Sequence, residues 1–318
     1  MRKVVLIGEC MLELREGNDG VMHQSFAGDA YNTAVYQKRA FPEQEVHFMS
    51  AIGQDVVSEK LRQHCEQASL NNQYLSQKSK QNPGVYFNQD LKCYIDNLVQ
   101  TDEYGERSFL YWRENSAARE LMRYVDEDTI ESLYNSDLVF FSGISLAVIH
   151  PKERPAFWAM LKRLKEQGVT LAFDPNYRPR LWRSPKEAQE QFHLAYELTD
   201  ILLPGIDDFS QLYGLTELSD ILEFCQPYGI HELVIKNGSN SVYCQLGSNL
   251  IHLPIAPVDH VVDTTSAGDS FNGVYLGARL AGKEIEHAVS LASKAAAIVI
   301  QYPGAITPKD DFVRLLTQ

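Results

Sequence analysis

Basic side chains are scarce in this chain: 29 Lys and Arg stand against 42 Asp and Glu, a formal charge of −13. That balance excludes general affinity for nucleic acid or anionic lipid, since both need a basic face. An anionic small molecule could bind only through a local basic pocket, so each arginine matters individually. Long apolar runs are also missing, and none approaches the ~20 residues of a membrane-spanning helix. After Met1-Arg2-Lys3 come only four apolar residues, Val4 to Ile7, before Gly8. They are too few for the core of a secretion signal and read as a first buried strand. The expectation is a cytoplasmic protein with no membrane partner and no nucleic-acid partner.

Paired metal and redox spacings are absent too. The five cysteines (Cys10, Cys65, Cys93, Cys225 and Cys244) are odd in number and form no C-x-x-C, which removes support for zinc-knuckle and dithiol readings. Reduced structural thiols fit best. Nine histidines include no H-E-x-x-H, and no G-x-x-x-x-G-K-[ST] occurs. Any phosphate chemistry must therefore use a cradle other than a P-loop.

What is present is an alternation of short apolar runs with longer amphipathic stretches. Strands are expected at 3–8, 46–50, 138–142, 169–174, 200–203 and 232–235, and helices at 29–40, 56–68, 152–167, 186–198, 268–281 and 284–301. Such alternation implies a parallel sheet with helices on both faces. Phe140-Phe141 and Leu171-Ala172-Phe173 lack polar alternation, as expected of strands buried on both sides. One region breaks the rhythm. Residues 84–97 and 107–113 read as two strands around the polar turn Asp102-Glu103-Tyr104-Gly105, with no helix between them. With the non-helical stretch 11–26 they predict a small β-lid, about 11–26 and 84–113, on a single domain spanning 1–318. A crevice is expected beneath it, at the C-terminal ends of the parallel strands.

Chemistry concentrates in Asp263-Thr264-Thr265-Ser266-Ala267-Gly268-Asp269, which leads directly into a helical pattern. Small residues let backbone N–H groups approach a ligand, and a helix N-terminus adds unpaired donors and partial positive charge. A carboxylate beside such an anion hole can accept a proton from an attacking hydroxyl. On local composition alone, Asp269 or Asp263 serves equally well as a helix cap. Asp29, at the start of another helical pattern, reads as an acceptor of hydrogen bonds from a ligand's hydroxyls and equally as an ordinary helix cap. Tyr111 and Arg113 face one side of a strand, and Arg178 follows the end of a buried one. Two converging guanidinium groups suit a carboxylate, although each arginine taken singly reads as a solvated surface charge.

The segment 263–269 resembles the D-T-x-G-A-G-D signature of the ribokinase-like (PfkB-type) sugar kinases, with Ser266 where most members carry Gly. Ala27-Gly28-Asp29 with Asn32, Ile52-Gly53-Gln54-Asp55, Lys236-Asn237-Gly238 and Gly304-Ala305 resemble further family segments in the same order. The resemblance implies a three-layer α/β/α sandwich with a β-lid, ATP and Mg2+ as cofactors, and dimers through the lids. It implies Asp269 as catalytic base and an anion hole from Ala267 and Gly268. Lys236, Gly238, Ser266, Gly268, Ser293, Gly304 and Ala305 would lie along the nucleotide. Where many members carry N-x-x-E, this chain has Gly205-Ile206-Asp207-Asp208, which leaves Asp208 as an indirect metal contact. Gly8-Glu9-Cys10-Met11-Leu12-Glu13-Leu14, Ser142-Gly143-Ile144-Ser145 and Asp174-Pro175-Asn176 through Trp182 look most like the sugar-acid kinases acting on 2-keto-3-deoxygluconate. By that likeness Gly28, Asp29, Asn32, Tyr86, Tyr111, Arg113, Arg178 and Asp269 contact the sugar acid.

Overall fold

The computed structural model describes residues 1–16, 20–89 and 108–318, with the backbone alone at 16, 88–89 and 108–111. In chain order its elements are β1 (Lys3–Ile7), β2 (Met11–Glu16), β3 (Met22–Ala27), α1 (Asp29–Ala40), β4 (Glu45–Ala51), α2 (Val56–Gln67), β5 (Leu75–Ser76), β6 (Val85–Gln89), β7 (Ser108–Trp112), α3 (Glu127–Leu133), β8 (Leu138–Ser142), α4 (Gly143–Val148), α5 (Arg154–Glu166), β9 (Thr170–Asp174), α6 (Pro185–Leu198), β10 (Ile201–Leu202), α7 (Ile206–Tyr213), α8 (Leu218–Cys225), β11 (Glu232–Asn237), β12 (Ser241–Leu246), β13 (Asn249–Pro254), α9 (Ala267–Leu280), α10 (Ile285–Val299) and α11 (Lys309–Thr317).

A nine-stranded sheet runs β13-β12-β11-β10-β9-β8-β1-β4-β5, and a four-stranded sheet runs β3-β2-β6-β7. From β5 to β11 the large sheet is parallel, and β12 and β13 complete it in antiparallel fashion. Alternate residues of β1 explain the three layers. Val4 and Leu6 pack with α1, α9, α10 and α11 on one face, while Val5 and Ile7 pack with α5 and α6 on the other. Phe140 and Phe141 divide in the same way, so a strand without polar alternation is one whose two faces are both covered.

The small sheet is the lid of the fold. β6 pairs antiparallel with β7, aligning Tyr86 with Tyr111, and β2 joins β6 in parallel. The expected remainder of the first lid strand, the turn at 102–105 and Cys93 lie outside the described residues. A small apolar cluster of Met11, Ala27, Tyr86 and Ala305 seats the lid against the C-terminal turn. Cys10, Cys65, Cys225 and Cys244 are buried free thiols. Among the described residues no helix is long and apolar enough to cross a membrane.

The site depends most on the crossing of α1 with α9. A Cβ on Gly273 would lie 2.3 Å from the Thr33 carbonyl oxygen, and one on Gly277 would lie 2.3 Å from the Phe41 ring. Glycine at 273 lets the two helices approach at their backbones, and glycine at 277 makes room for the Phe41 ring. At Gly273 the obstructing atom is backbone and cannot rotate aside. Gly273→Ala is expected to cost about 1–3 kcal/mol, the usual range for overpacking, measured as a loss of denaturant midpoint at unchanged m-value. A wild-type midpoint would show that the crossing is not tight.

Candidate active site

The C-terminal ends of β1, β8, β9 and β11 deliver Glu9, Ser142, Asp174 and Lys236 to one crevice, where the N-termini of α1 and α9 bring Asp29, Asn32 and Asp269. This is the ligand position that open α/β sheets favour. Ser266 precedes α9 with φ +66°, a left-handed conformation. It turns the chain sharply into the helix; Ala267 N reaches back to the Thr264 carbonyl at 3.3 Å, and the N–H groups that follow in the first turn have no intrahelical partner. An ideal Cβ on Gly268 would find only Lys236 Nζ, at 4.0 Å. The space before the helix N-terminus is therefore open and overlooked by a cation, which fits a phosphoryl group.

Asp269 is half-buried in the first turn of α9, and its Oδ2 accepts a 2.8 Å hydrogen bond from Asn32 Nδ2. Its pKa is raised to about 7, first by burial and then by the charges of Asp29 and Asp174. A carboxylate poised there is suited to accept a proton near neutral pH. Neither aspartate of the segment serves as a helix cap: Asp269 bonds Asn32, and Asp263 accepts Thr265 N at 2.8 Å and Gly304 N at 2.6 Å. Asp263 thus ties the loop before α9 to the turn at Gly304, which has φ +83°. Ala305 is buried beside it, and its carbonyl accepts the Tyr36 hydroxyl at 2.8 Å.

Asp29 opens α1 without capping it. Its Oδ2 accepts Ser142 Oγ and, at 3.3 Å, Asn176 Nδ2, whereas Oδ1 is buried with no hydrogen-bond partner. Burial raises its pKa, Asp174 adds to the rise, and Arg113 acts in the opposite sense. Gly28 allows this arrangement because a Cβ there would lie 2.0 Å from the Glu9 carbonyl oxygen. Asn32 Oδ1 accepts Gly28 N at 3.3 Å, so one side chain links the glycine turn to Asp269.

Lys236 Nζ donates to Asp174 Oδ2 at 3.0 Å and Asn272 Oδ1 at 3.1 Å, and Asn272 Nδ2 donates to the same Asp174 oxygen at 2.5 Å. Gly238 makes the following turn with φ +53°. Ser293 lies half-buried within α10. Asp208 does not point free: its oxygens accept Gly205 N at 2.8 Å and Tyr177 N at 2.7 Å. Burial and Asp174 raise its pKa to about 6. Among the described residues no group of three or more His, Cys, Asp or Glu could hold a metal ion.

On the lid side, the Tyr86 hydroxyl donates to Glu13 Oε1 at 2.8 Å, and Ser25 donates to the other oxygen of Glu13. The side chain of Tyr111 lies outside the described residues. The two arginines differ sharply. Arg113 is nearly buried and ion-paired with fully buried Glu9, whereas Arg178 is exposed and donates to the Tyr177 carbonyl at 3.3 Å. Sequence reasoning gave no role to Asn272, and took Glu9, Ser142, Asp174 and Asn176 only as parts of a likeness.

The raised Asp269 pKa has a consequence for stability. The folded state binds more protons than the unfolded chain between the ordinary carboxylate pKa and about 7, so Asp269 favours folding at low pH and loses that contribution as pH rises through about 7. Asp269→Asn should therefore match the wild type near pH 4 and exceed it in stability near pH 8, read from urea unfolding at both. Parallel pH profiles would disprove the assignment.

The profile of the pfkB family carbohydrate kinases matches residues 1–311. The chain is 35% identical over 315 residues to a 2-dehydro-3-deoxygluconokinase of Escherichia coli K12, covering 97% of this chain and 98% of that protein. It is 36% identical over 317 residues to the Haemophilus influenzae protein of the same name, covering 97% and 96%. The crystal structure of 2-dehydro-3-deoxygluconokinase from Thermotoga maritima superposes with a TM-score of 0.80 at 20% identity, covering 100% of both chains. An Escherichia coli putative ribokinase II reaches 0.83 at 21% identity, over 100% of this chain and 99% of that one. Matched by the family profile over residues 1–311 and by relatives 35–36% identical over nearly their whole length, the chain belongs to the pfkB family of carbohydrate kinases.

Proposed function

We propose that this kinase transfers the terminal phosphoryl group of ATP to the C6 hydroxyl of 2-keto-3-deoxygluconate (2-dehydro-3-deoxygluconate), giving the 6-phosphate. The observation that carries the reaction type is the placement of Asp269, held by Asn32, beside the open N-terminus of α9 and Lys236. The sugar acid is supported by the full-length relatives of that name. Asp269 takes the hydroxyl proton as the oxygen attacks. The backbone of Ala267 and Gly268 stabilises charge on the phosphoryl oxygens, and Lys236 adds a fixed cation. Ser266, Gly238, Ser293, Gly304 and Ala305 line the nucleotide side in this reading.

Magnesium typically takes one or two carboxylates and otherwise phosphate oxygens and water. The residues present fit an ion carried by the nucleotide, with Asp208, committed to two backbone N–H groups, meeting it through water. When bound, it neutralises charge on the phosphates.

Arg178 supplies the positive charge for the sugar-acid carboxylate, with Arg113 and Tyr86 contributing from the lid. One observation favours a neutral sugar instead: the charge of Arg113 is already compensated by Glu9. An ADP-release assay with MgATP against 2-keto-3-deoxygluconate, gluconate, fructose and ribose separates the readings. Turnover confined to the keto-deoxy acid is expected, and preferred turnover of fructose would overturn the substrate. Asp269→Asn should lower kcat by at least ~10²-fold, the scale for a general base, and Arg178→Ala should act mainly on the sugar-acid KM.

The pH profile follows from the same geometry. For the free enzyme, kcat/KM should rise with pH through about 7 as Asp269 ionises. Asp29→Asn removes the charge that opposes this ionisation, so the acid limb should move to lower pH. A limb that stays in place would exclude electrostatic coupling of the two carboxylates.

A further inference from the structure

Glu9 follows the central strand β1 and is 1% exposed. It belongs to the crevice floor. Its partner Arg113 directly follows β7, a strand of the lid. The ion pair therefore joins the two sheets across 104 positions of sequence. The side chains involved are 1% and 10% exposed, so water screens the pair little, and a charge-assisted hydrogen bond in such surroundings holds its geometry firmly. Gly84, just before β6, packs between the two partners. A Cβ there would lie 3.0 Å from Glu9 Oε1, 3.0 Å from Met11 Cγ and 3.2 Å from Arg113 Cβ. The absence of a side chain at 84 is what lets floor and lid arginine meet. Glu9 Oε1 is buried without a hydrogen-bond partner, an arrangement that costs stability and that structural packing alone does not call for. Asp29, on the other side of the crevice, feels the Arg113 charge, so the guanidinium is held close to the substrate-binding end of α1.

We infer that Glu9 is a positioning residue for sugar-acid binding: it fixes the lid arginine, Arg113, over the crevice floor, and Gly84 provides the room for that contact. This rests on the sugar-acid reading above and adds a residue that does not touch the phosphoryl group. Glu9 acts through Arg113, so its effect should fall on the sugar acid and not on ATP.

The test is a double-mutant cycle on the intact enzyme with 2-keto-3-deoxygluconate and MgATP. The variants are Glu9→Gln, Arg113→Gln and both together, and the double variant leaves no buried unpaired charge. Glu9→Gln is expected to raise the sugar-acid KM by about tenfold while the ATP KM stays within about twofold, and in the Arg113→Gln background it should add less than about twofold, the signature of residues acting as one unit. Gly84→Ala keeps both charges, wedges the contact apart and should raise the same KM selectively. If Glu9→Gln multiplies the KM equally in both backgrounds, or raises the ATP KM as much as the sugar-acid KM, the positioning role is wrong. If the wild type turns over only a neutral sugar, the substrate reading fails first. A wild type active on the acid with an unaffected Glu9→Gln sinks this inference alone.

Discussion

The close crossing of α1 and α9 is the constraint on which the rest of the site depends. Gly273 against the Thr33 carbonyl brings the two helix axes to backbone contact, and the first turns of both helices then share one space. That is why Asn32 can reach Asp269 at 2.8 Å across 237 positions of sequence. A helix N-terminus alone offers an anion hole. A second helix terminus set against it supplies Asn32, which holds the Asp269 carboxylate. The large sheet contributes by ending its parallel strands at the same level, so Ser142, Asp174 and Lys236 close the crevice from below.

Bringing Asp29, Asp174 and Asp269 together in a poorly hydrated space has an electrostatic consequence. The neighbouring charges oppose ionisation of Asp29 and Asp269, and burial adds to the effect. A base on the surface would be ionised but weak at neutral pH, whereas one held near 7 accepts a proton with more driving force. The instability this creates is local. Lys236 and Asn272 satisfy Asp174, while Ser142 and Asn176 satisfy one oxygen of Asp29. The crowding is thus distributed so that Asp269, with Asn32 as its hydrogen-bond donor, is the carboxylate held near 7.

Much of the fold was legible because its strands are buried on both faces. Runs such as 138–142 and 170–174 carry no polar alternation and stand between long amphipathic helices, so length and composition suffice to tell strand from helix. The hairpin β12–β13 was not legible. Its outer strand is half-exposed, with Leu250 at 45%, and it ends the sheet where no crossover helix follows. The short α4 was hidden because six residues give too little periodicity to read. In the site, Asp269 could be found because small residues lead into its helix. Glu9 and Asn272 act through partners 104 and 98 positions away, and no local pattern encodes such pairs.

Charge also explains how an acidic protein can bind an acid in one orientation. Two cations of the crevice already have a carboxylate against them: Lys236 has Asp174 and Arg113 has Glu9. Around Asp269 and Asp29 the field therefore opposes a second anion, while exposed Arg178 has no carboxylate partner among the described residues. In the proposed reading, a sugar acid entering this field would lower its energy by turning its carboxylate toward Arg178 and the lid arginine and away from Asp269. In that reading its far hydroxyl end would face α9. A neutral sugar would gain no such alignment, so in the proposed reading the carboxylates that raise the Asp269 pKa would also orient the substrate.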